Sequence, residues 1–524
     1  MRHPASQSVS SPAIGSSPQA TPPAMPLAGV MVAVMLGPFV NILDYNVVNV
    51  ALPKMMSGLA TDVLTIRWVV TAFLISTAVT MPALGWLGRV LGNKNLYVLG
   101  LTIFTTASAL CGFAPTVSIL IALRILEGIG AGTLMPMSMV LMLDAYPPEK
   151  RGTGTALWSL GASLGSVLGL LLGGYSADAV DWRTVFYVNL IPGALGILCT
   201  LLFVPPARRE HGVSFDLWGF SVLAVALVSL LVALSQGQRE GWGSSLIVTL
   251  LGICVLAFSL FIYIEQRVTT PLIELRLYTS FRYIAGTVIA LGLGLFFNGS
   301  TFLLVLFVQL LLDFSVELTG LVLLPGSVAM VLTTPLVGWM IDRAEPRVSM
   351  LCGLAIYSVS CYLMMLADLR IGVCFVIVVY VVRGIGLGFL YPPVFAVATS
   401  GIAAQRVRGA SSLLNLWVTL GGAFSIAVLS TLVESRQAIH QALFAEEQVL
   451  TALGTQQALT ALGGLSGEGS SSLINARLQA LGMVQGIVRQ EALIRAINDC
   501  FMLVCVLALG SMGVVMLMRM VRQR

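Results

Sequence analysis

The chain has 524 residues, 57% of them hydrophobic and 10% charged, with a formal net charge of +5. Soluble domains carry roughly 25% charged residues, so a water-soluble fold is excluded: it could not hide this much apolar surface, whereas a bilayer can. The basic residues lie in short loops between apolar runs and not in one cluster, which excludes a nucleic-acid partner and points to membrane topology.

Residues 1–27 are rich in Ser, Pro and Ala and lack a basic flank ahead of a short apolar core. They read as a disordered cytoplasmic tail, not as a cleaved signal peptide. Apolar runs then recur near 28–52, 67–88, 95–114, 116–143, 153–176, 184–204, 217–236, 245–264, 283–308, 319–341, 348–367, 372–396, 409–433 and 499–520. Each has the length of about 20 residues that crosses a hydrocarbon core of roughly 30 Å. In lipid every backbone polar group of such a run must bond within its own segment, so the runs are helices.

Lys and Arg set the orientation. With the N-terminus inside, sixteen basic residues fall in short inner loops or the tail: Arg89, Lys94, Lys150, Arg151, Arg208, Arg209, Arg267, Arg276, Arg282, Arg343, Arg347, Arg406, Arg408, Arg519, Arg522 and Arg524. Five fall in short outer loops: Lys54, Arg67, Arg183, Arg239 and Arg370. This bias places both termini in the cytoplasm and requires an even number of spans, fourteen here.

Residues 434–498 form a polar excursion on the outer side. Its flanks, 436–460 and 473–497, are rich in the helix formers Ala, Leu, Gln and Glu, around a Gly/Ser centre at 463–472. The composition predicts a periplasmic helical hairpin, since long structureless loops are uncommon.

Four ionisable side chains fall inside predicted spans: Asp44, Arg124, Glu127 and Arg383. A charge at the bilayer centre costs at least about 2.5–3.5 kcal/mol on insertion scales, so each is expected to face the protein interior or an aqueous cavity. Arg124 and Glu127, three apart, share a helix face. A buried carboxylate such as Asp44 can load and release a proton as access alternates; a static ion pair locking two helices is the competing reading. Gly161, Gly165, Gly169 and Gly173 recur every four residues, with Gly174 beside the last. They form a ridge that permits close backbone approach, as a seam between rocking bundles requires; plain helix packing is the alternative.

Gly161 to Gly165 also matches the G-x-S-x-G hydrolase pattern, but no strand precedes it, so an esterase is rejected. The eight cysteines lie in apolar runs without metal-ligand spacing, and only His3, His211 and His440 supply imidazoles. A metal site or disulfide framework is not expected. No Walker-type phosphate loop is present. No cofactor is expected, and a proton gradient remains as the common energy source.

Leu43-Asp44-Tyr45-Asn46-Val47-Val48-Asn49-Val50-Ala51-Leu52-Pro53, the Gly85 to Lys94 loop, Arg124 to Gly130, Gly169 to Gly174 and Trp182 to Asn189 together carry a resemblance. From about residue 28 onward the chain resembles the EmrB-like fourteen-helix drug:proton antiporters of the major facilitator superfamily. The resemblance assigns Gly85, Arg89, Gly92 and Lys94 to a conformational motif between the second and third spans. Asp342 and Arg343 stand at the equivalent place in the second half. Gly88 stands where the family's loop has Asp, Glu127 where it has Gln, Asn46 where it has Thr, and Leu170 where its antiporter motif has Pro.

The resemblance implies an all-α polytopic fold: a six-helix bundle over 28–205, two additional helices and linkers over 206–282, and a second six-helix bundle over 283–524. It also implies proton-coupled export of amphipathic small molecules (drugs, toxic compounds or a metabolite such as a siderophore) across the inner membrane. An EmrA-type periplasmic adaptor and a TolC-type outer-membrane channel would be the partners. A facilitator-type importer and a non-transporting sensor or scaffold are the alternatives; the outer hairpin argues against the first and the intramembrane charges against the second.

Overall fold

The computed structural model describes residues 27–179, 181–206, 210, 214–268, 271–368, 371–400, 402, 404–450 and 470–517. Among the described residues fourteen long helices follow one another: α1 (Leu27–Gly58), α2 (Leu64–Leu91), α3 (Asn93–Cys111), α4 (Val117–Ala145), α5 (Arg151–Ala179), α6 (Thr184–Phe203), α7 (Leu217–Glu240), α8 (Ser245–Glu265), α9 (Phe281–Leu310), α10 (Val316–Arg343), α11 (Pro346–Met365), α12 (Val373–Thr399), α13 (Ala404–Leu450) and α14 (Ser470–Leu517). Thirteen are long and apolar enough to cross a membrane. The other, α3, begins Asn93-Lys94-Asn95, and those three polar residues dilute its apolar run.

Helices α1–α6 pack as one bundle, with α1 against α5 and α6, α2 against α4, and α3 against α4 and α6. Helices α9–α14 form a second, with α9 against α13, α10 and α11 against α12, and α14 against α11 and α13. The inserted α7 and α8 pack on each other, and α7 touches α2 and α13. The bundles meet where α10 and α12 cross α5 and where α13 crosses α4.

Within the described residues, the helical arms that composition predicts at 436–460 and 473–497 are continuous with the membrane helices. Helix α13 runs unbroken from its membrane-crossing part to Leu450, and α14 begins at Ser470 and runs into the last crossing. The arms are extensions of the membrane helices, because the Ala-, Leu- and Gln-rich sequence offers no residue that would stop a helix at the apolar boundary. His440 and Asp499 meet across the base at 3.0 Å, and the Arg495 guanidinium lies 5.3 Å from the Phe444 ring centroid. The tip at 463–469 lies outside the described residues, as do the N-terminal tail to residue 26, Arg208, Arg209 and the C-terminal arginines.

The glycine ridge of α5 faces α1 within the first bundle and not the bundle interface. A Cβ at Gly161 would strike Met35 O, one at Gly165 would strike Phe39 O, and one at Gly169 would lie 2.8 Å from Asn46 Cβ. At Gly173 it would lie 3.1 Å from Val47 Cα. The ridge therefore lets α1 lie directly on α5 and fixes the height of Asp44. Gly174 continues α5, with no contact described for it.

Candidate transport site

Asp44 on α1 and Arg124 and Glu127 on α4 converge inside the first bundle. Arg124 Nη1 donates to Asp44 Oδ2 at 2.9 Å and to Glu127 Oε2 at 2.8 Å. Arg124 is 1% exposed and the two carboxylates are 0% exposed. Arg124 Nε donates to Val69 O on α2 at 3.2 Å. The other Asp44 oxygen accepts Asn189 Nδ2 at 2.9 Å, and Asn189 also donates to Ser108 Oγ at 3.0 Å. Cys111 Sγ donates to Glu127 Oε2 at 3.5 Å. Among the described residues Glu127 Oε1 has no hydrogen-bond partner within bonding geometry.

The cluster thus sets two carboxylates against one guanidinium, drawing on α1, α2, α3, α4 and α6. In a low-dielectric interior a surplus charge is costly, and a proton on one carboxylate removes it. Sequence reading found Asp44, Arg124 and Glu127 from their charge but missed Asn189, Ser108 and Cys111. Asn189 ends the Trp182 to Asn189 stretch, which was the available signal.

Arg383 holds a corresponding place in the second bundle with different partners. Its Nε donates to Ser300 Oγ at 2.6 Å, and its Nη2 to Phe297 O at 2.7 Å and Thr301 Oγ1 at 2.6 Å, all on α9. It is 3% exposed. Among the described residues no carboxylate forms an ion pair with it. The segment Leu295–Gly299 of α9 is π-helical, a local widening of the turn that often marks functional positions.

Between the bundles lies a cavity of about 150 Å³. Polar side chains from both sides line it, including Asn41, Tyr45 and Asn46 of α1, Asn298 of α9 and Asn415 and Thr419 of α13. Among the described residues no charged side chain lines it. Both arginines stand one layer behind its wall: Phe73 and Phe297 line the cavity, and the guanidinium of Arg124 lies 4.1 Å from the first ring and that of Arg383 5.7 Å from the second.

One end of the bundle interface is bolted. Asp342 at the end of α10 accepts the Gly152 N–H at 2.7 Å and the Thr153 N–H at 3.0 Å, together with the Thr153 hydroxyl. A carboxylate here satisfies the unpaired first-turn N–H groups of α5 and complements its dipole. On the opposite flank Arg408 of α13 donates to Gly88 O and Asn93 Oδ1, both at 3.3 Å, and Ser412 donates to Met81 O. Every described side-chain hydrogen bond between α1–α6 and α9–α14 lies at this end. Burial, and after it the Asp342 carboxylate, push the nearby Tyr146 phenol above its ordinary range.

The other motif residues are placed as follows. Gly85 lies 3.7 Å, by its Cβ position, from Gly409 Cα, a close approach of α2 and α13. Gly92 takes φ 81° in the turn from α2 to α3, where other residues are strained. Lys94 donates to Leu201 O at 2.9 Å and Val204 O at 2.5 Å at the end of α6. Arg89 lines a small cavity beside Glu210 and Arg406. Arg343 lies over the Trp339 ring at 4.4 Å and has no ion pair among the described residues. Sequence reading missed Arg408: where the family carries Asp, the absent side chain of Gly88 leaves room for the Arg408 stem, 3.0 Å from that Cβ position.

Comparison with known proteins matches residues 34–426 to the Major Facilitator Superfamily model. The chain is 30% identical over 406 residues to the multidrug resistance protein Stp of Mycobacterium tuberculosis (strain CDC 1551 / Oshkosh), covering 77% of this chain and 75% of the relative. It is 27% identical to the multidrug export protein EmrB of Escherichia coli (strain K12), covering 94% and 96%. With the fatty acid resistance protein FarB of Neisseria gonorrhoeae it shares 30% identity over 91% and 93%. Among solved structures, the fold is similar to that of the proton:xylose symporter XylE, with TM-score 0.57, 12% identity and coverage of 92% and 94%. It is also similar to the human organic anion transporter MFSD10, with TM-score 0.56, 15% identity and coverage of 92% and 99%.

Proposed function

The chain belongs to the major facilitator superfamily, in its EmrB-like branch of drug transporters, and on that premise we propose that it exports amphipathic small molecules in exchange for protons. It is a multi-pass membrane protein that moves a small molecule, and it is not an enzyme. Relatives named for multidrug and fatty acid resistance support efflux as the direction.

The observation that carries proton coupling is the surplus carboxylate in the Asp44–Arg124–Glu127 cluster, buried directly behind the cavity wall. In the proposed cycle a proton from outside neutralises one carboxylate, which loosens its hold on Arg124. Arg124 then relies on the second carboxylate, so the guanidinium never stands alone in an apolar interior. Movement of α1, which carries both Asp44 and the cavity residues Asn41, Tyr45 and Asn46, would couple that exchange to the cavity. Opening of the bolted end admits substrate from the cytoplasm; its closure, held by Asp342 and Arg408, leaves the outer side as the exit.

The location we propose is the inner membrane with both termini cytoplasmic, which the basic-residue bias supports. The bolted end is then the cytoplasmic one. We assign the extensions of α13 and α14 to docking an EmrA-type periplasmic adaptor, which in turn would meet a TolC-type outer-membrane channel. Reconstitution tests the core reading: vesicles with an imposed pH gradient should release protons when a substrate is added, and a protein that transports without moving protons would refute it.

A further inference from the structure

The two membrane arginines occupy matching positions, each on an inner helix of its bundle and each behind a phenylalanine of the cavity wall. Their electrostatic surroundings differ. Arg124 has two carboxylates at 2.9 and 2.8 Å. Arg383 has a carbonyl and two hydroxyls, and among the described residues no carboxylate is paired with it. A buried guanidinium normally takes a carboxylate, because neutral acceptors recover only part of its lost hydration. Moreover, the Phe297 carbonyl is shared: it accepts Thr301 Oγ1 at 2.6 Å as well as Arg383 Nη2.

No charged side chain among the described residues lines the cavity, so the uncompensated positive charge of Arg383 sets the potential of the wall around Phe297 and Asn298. Phe297 and Asn298 sit in the π-helical turn Leu295–Gly299. Such a turn can relax to α-helical winding, which would turn these residues and open a way to the guanidinium.

We propose that Arg383 is the receptor for an acidic group on the transported molecule, and that this carrier selects organic anions with an apolar body. The proposal rests on the cavity being the transport site. An incoming carboxylate accepts two N–H groups of Arg383 in place of Ser300, Thr301 and the Phe297 carbonyl, while its apolar body lies against Phe297 and Phe73. A charge-assisted, bidentate pair is stronger than the neutral bonds it displaces.

Equilibrium binding to purified protein, with no gradient imposed, tests this separately from export. The probes are 2-naphthoate and its uncharged counterpart of the same shape, 2-naphthamide, at pH 8. The intact protein is expected to prefer the anion by about tenfold or more. Arg383→Gln abolishes that preference while leaving 2-naphthamide binding in place, Arg383→Lys keeps part of it, and Arg239→Gln on the exposed surface keeps all of it. Because Arg383→Gln also removes bonds to α9, Thr301→Val serves as a second variant: freeing a donor of Arg383 should tighten 2-naphthoate binding and leave 2-naphthamide unchanged. Equal binding of both probes by the intact protein, or an anion preference that survives Arg383→Gln, overturns the proposal. A parallel fall for both probes makes Arg383 a structural brace and overturns it as well.

Discussion

The Asp342 carboxylate of α10 accepts the Gly152 N–H of α5 at 2.7 Å, so a side chain of the second bundle caps a helix of the first. The equivalent place in the first half holds Gly88, and there the roles are reversed: a helix-end carbonyl accepts from Arg408 of the second bundle. The two flanks of the closed end use opposite charges, each matched to the helix terminus it meets.

Asp342→Ala is therefore expected to weaken closure at this end. A cap of this kind contributes about 1 kcal/mol, on the order of fivefold in the balance between closed and open forms. Spin labels at Glu149 and Glu345, measured by pulsed electron resonance, should show a larger long-distance population in the variant. An unchanged distance distribution would remove Asp342 from gating.

The ridge of α5 predicts a graded set of substitutions. Gly165→Leu and Gly169→Leu force side chains into the backbone of α1, and overpacking of this kind costs about 1–3 kcal/mol. Gly252→Leu enters open space on α8 and should leave the melting temperature and transport unchanged. Equal melting temperatures for all the ridge and control variants would deny the ridge its role.

Of the fold, the succession of long apolar helices was legible because bilayer thickness dictates run length and leaves helices as the only open structure. Of the site, Asp44, Arg124, Glu127 and Arg383 were legible because charge in an apolar run is costly enough to be meaningful. What each residue touches was not legible. Asn189 lies 145 positions from Asp44, and polar neutral residues in a membrane helix carry no comparable signal. The direction of the glycine ridge was hidden for a related reason: a four-residue period gives a face but not its neighbour. The hairpin arms ran on into the membrane helices because hydropathy marks where lipid ends, which need not be where a helix ends.

The extensions of α13 and α14 set a place to cut. Phe444 and Arg495 are in contact, so a Gly/Ser linker from Phe444 to Glu491 can replace 445–490 and spare both the His440–Asp499 pair and the buried Ala492, Leu493 and Ile494. The shortened protein is expected to transport normally in reconstituted vesicles, and to lose both adaptor co-purification and protection of cells that have an outer membrane. Retention of the adaptor would refute the docking role.

Glu127→Gln places the family's residue beside Arg124. The variant is expected to keep exporting but to need a larger pH gradient for the same rate. Without Glu127, a proton on Asp44 leaves Arg124 no second carboxylate to turn to, and an unpaired buried charge is costly. Rate measured against imposed gradient in vesicles checks this; identical curves for the two proteins would show that Glu127 takes no part.

The most direct test of proton coupling through the buried cluster is Asp44→Asn in vesicles that are acidic inside and oriented so that export fills them. A panel of 2-naphthoate, 2-naphthamide and ethidium covers anionic, neutral and cationic amphipaths, and a pH-sensitive dye reports protons leaving. The intact protein is expected to accumulate at least one probe and to dissipate the gradient in doing so. The Asp44→Asn protein, folded and still binding that probe, is expected to do neither. Gradient-driven accumulation by the Asp44→Asn protein at the rate of the intact one would contradict it.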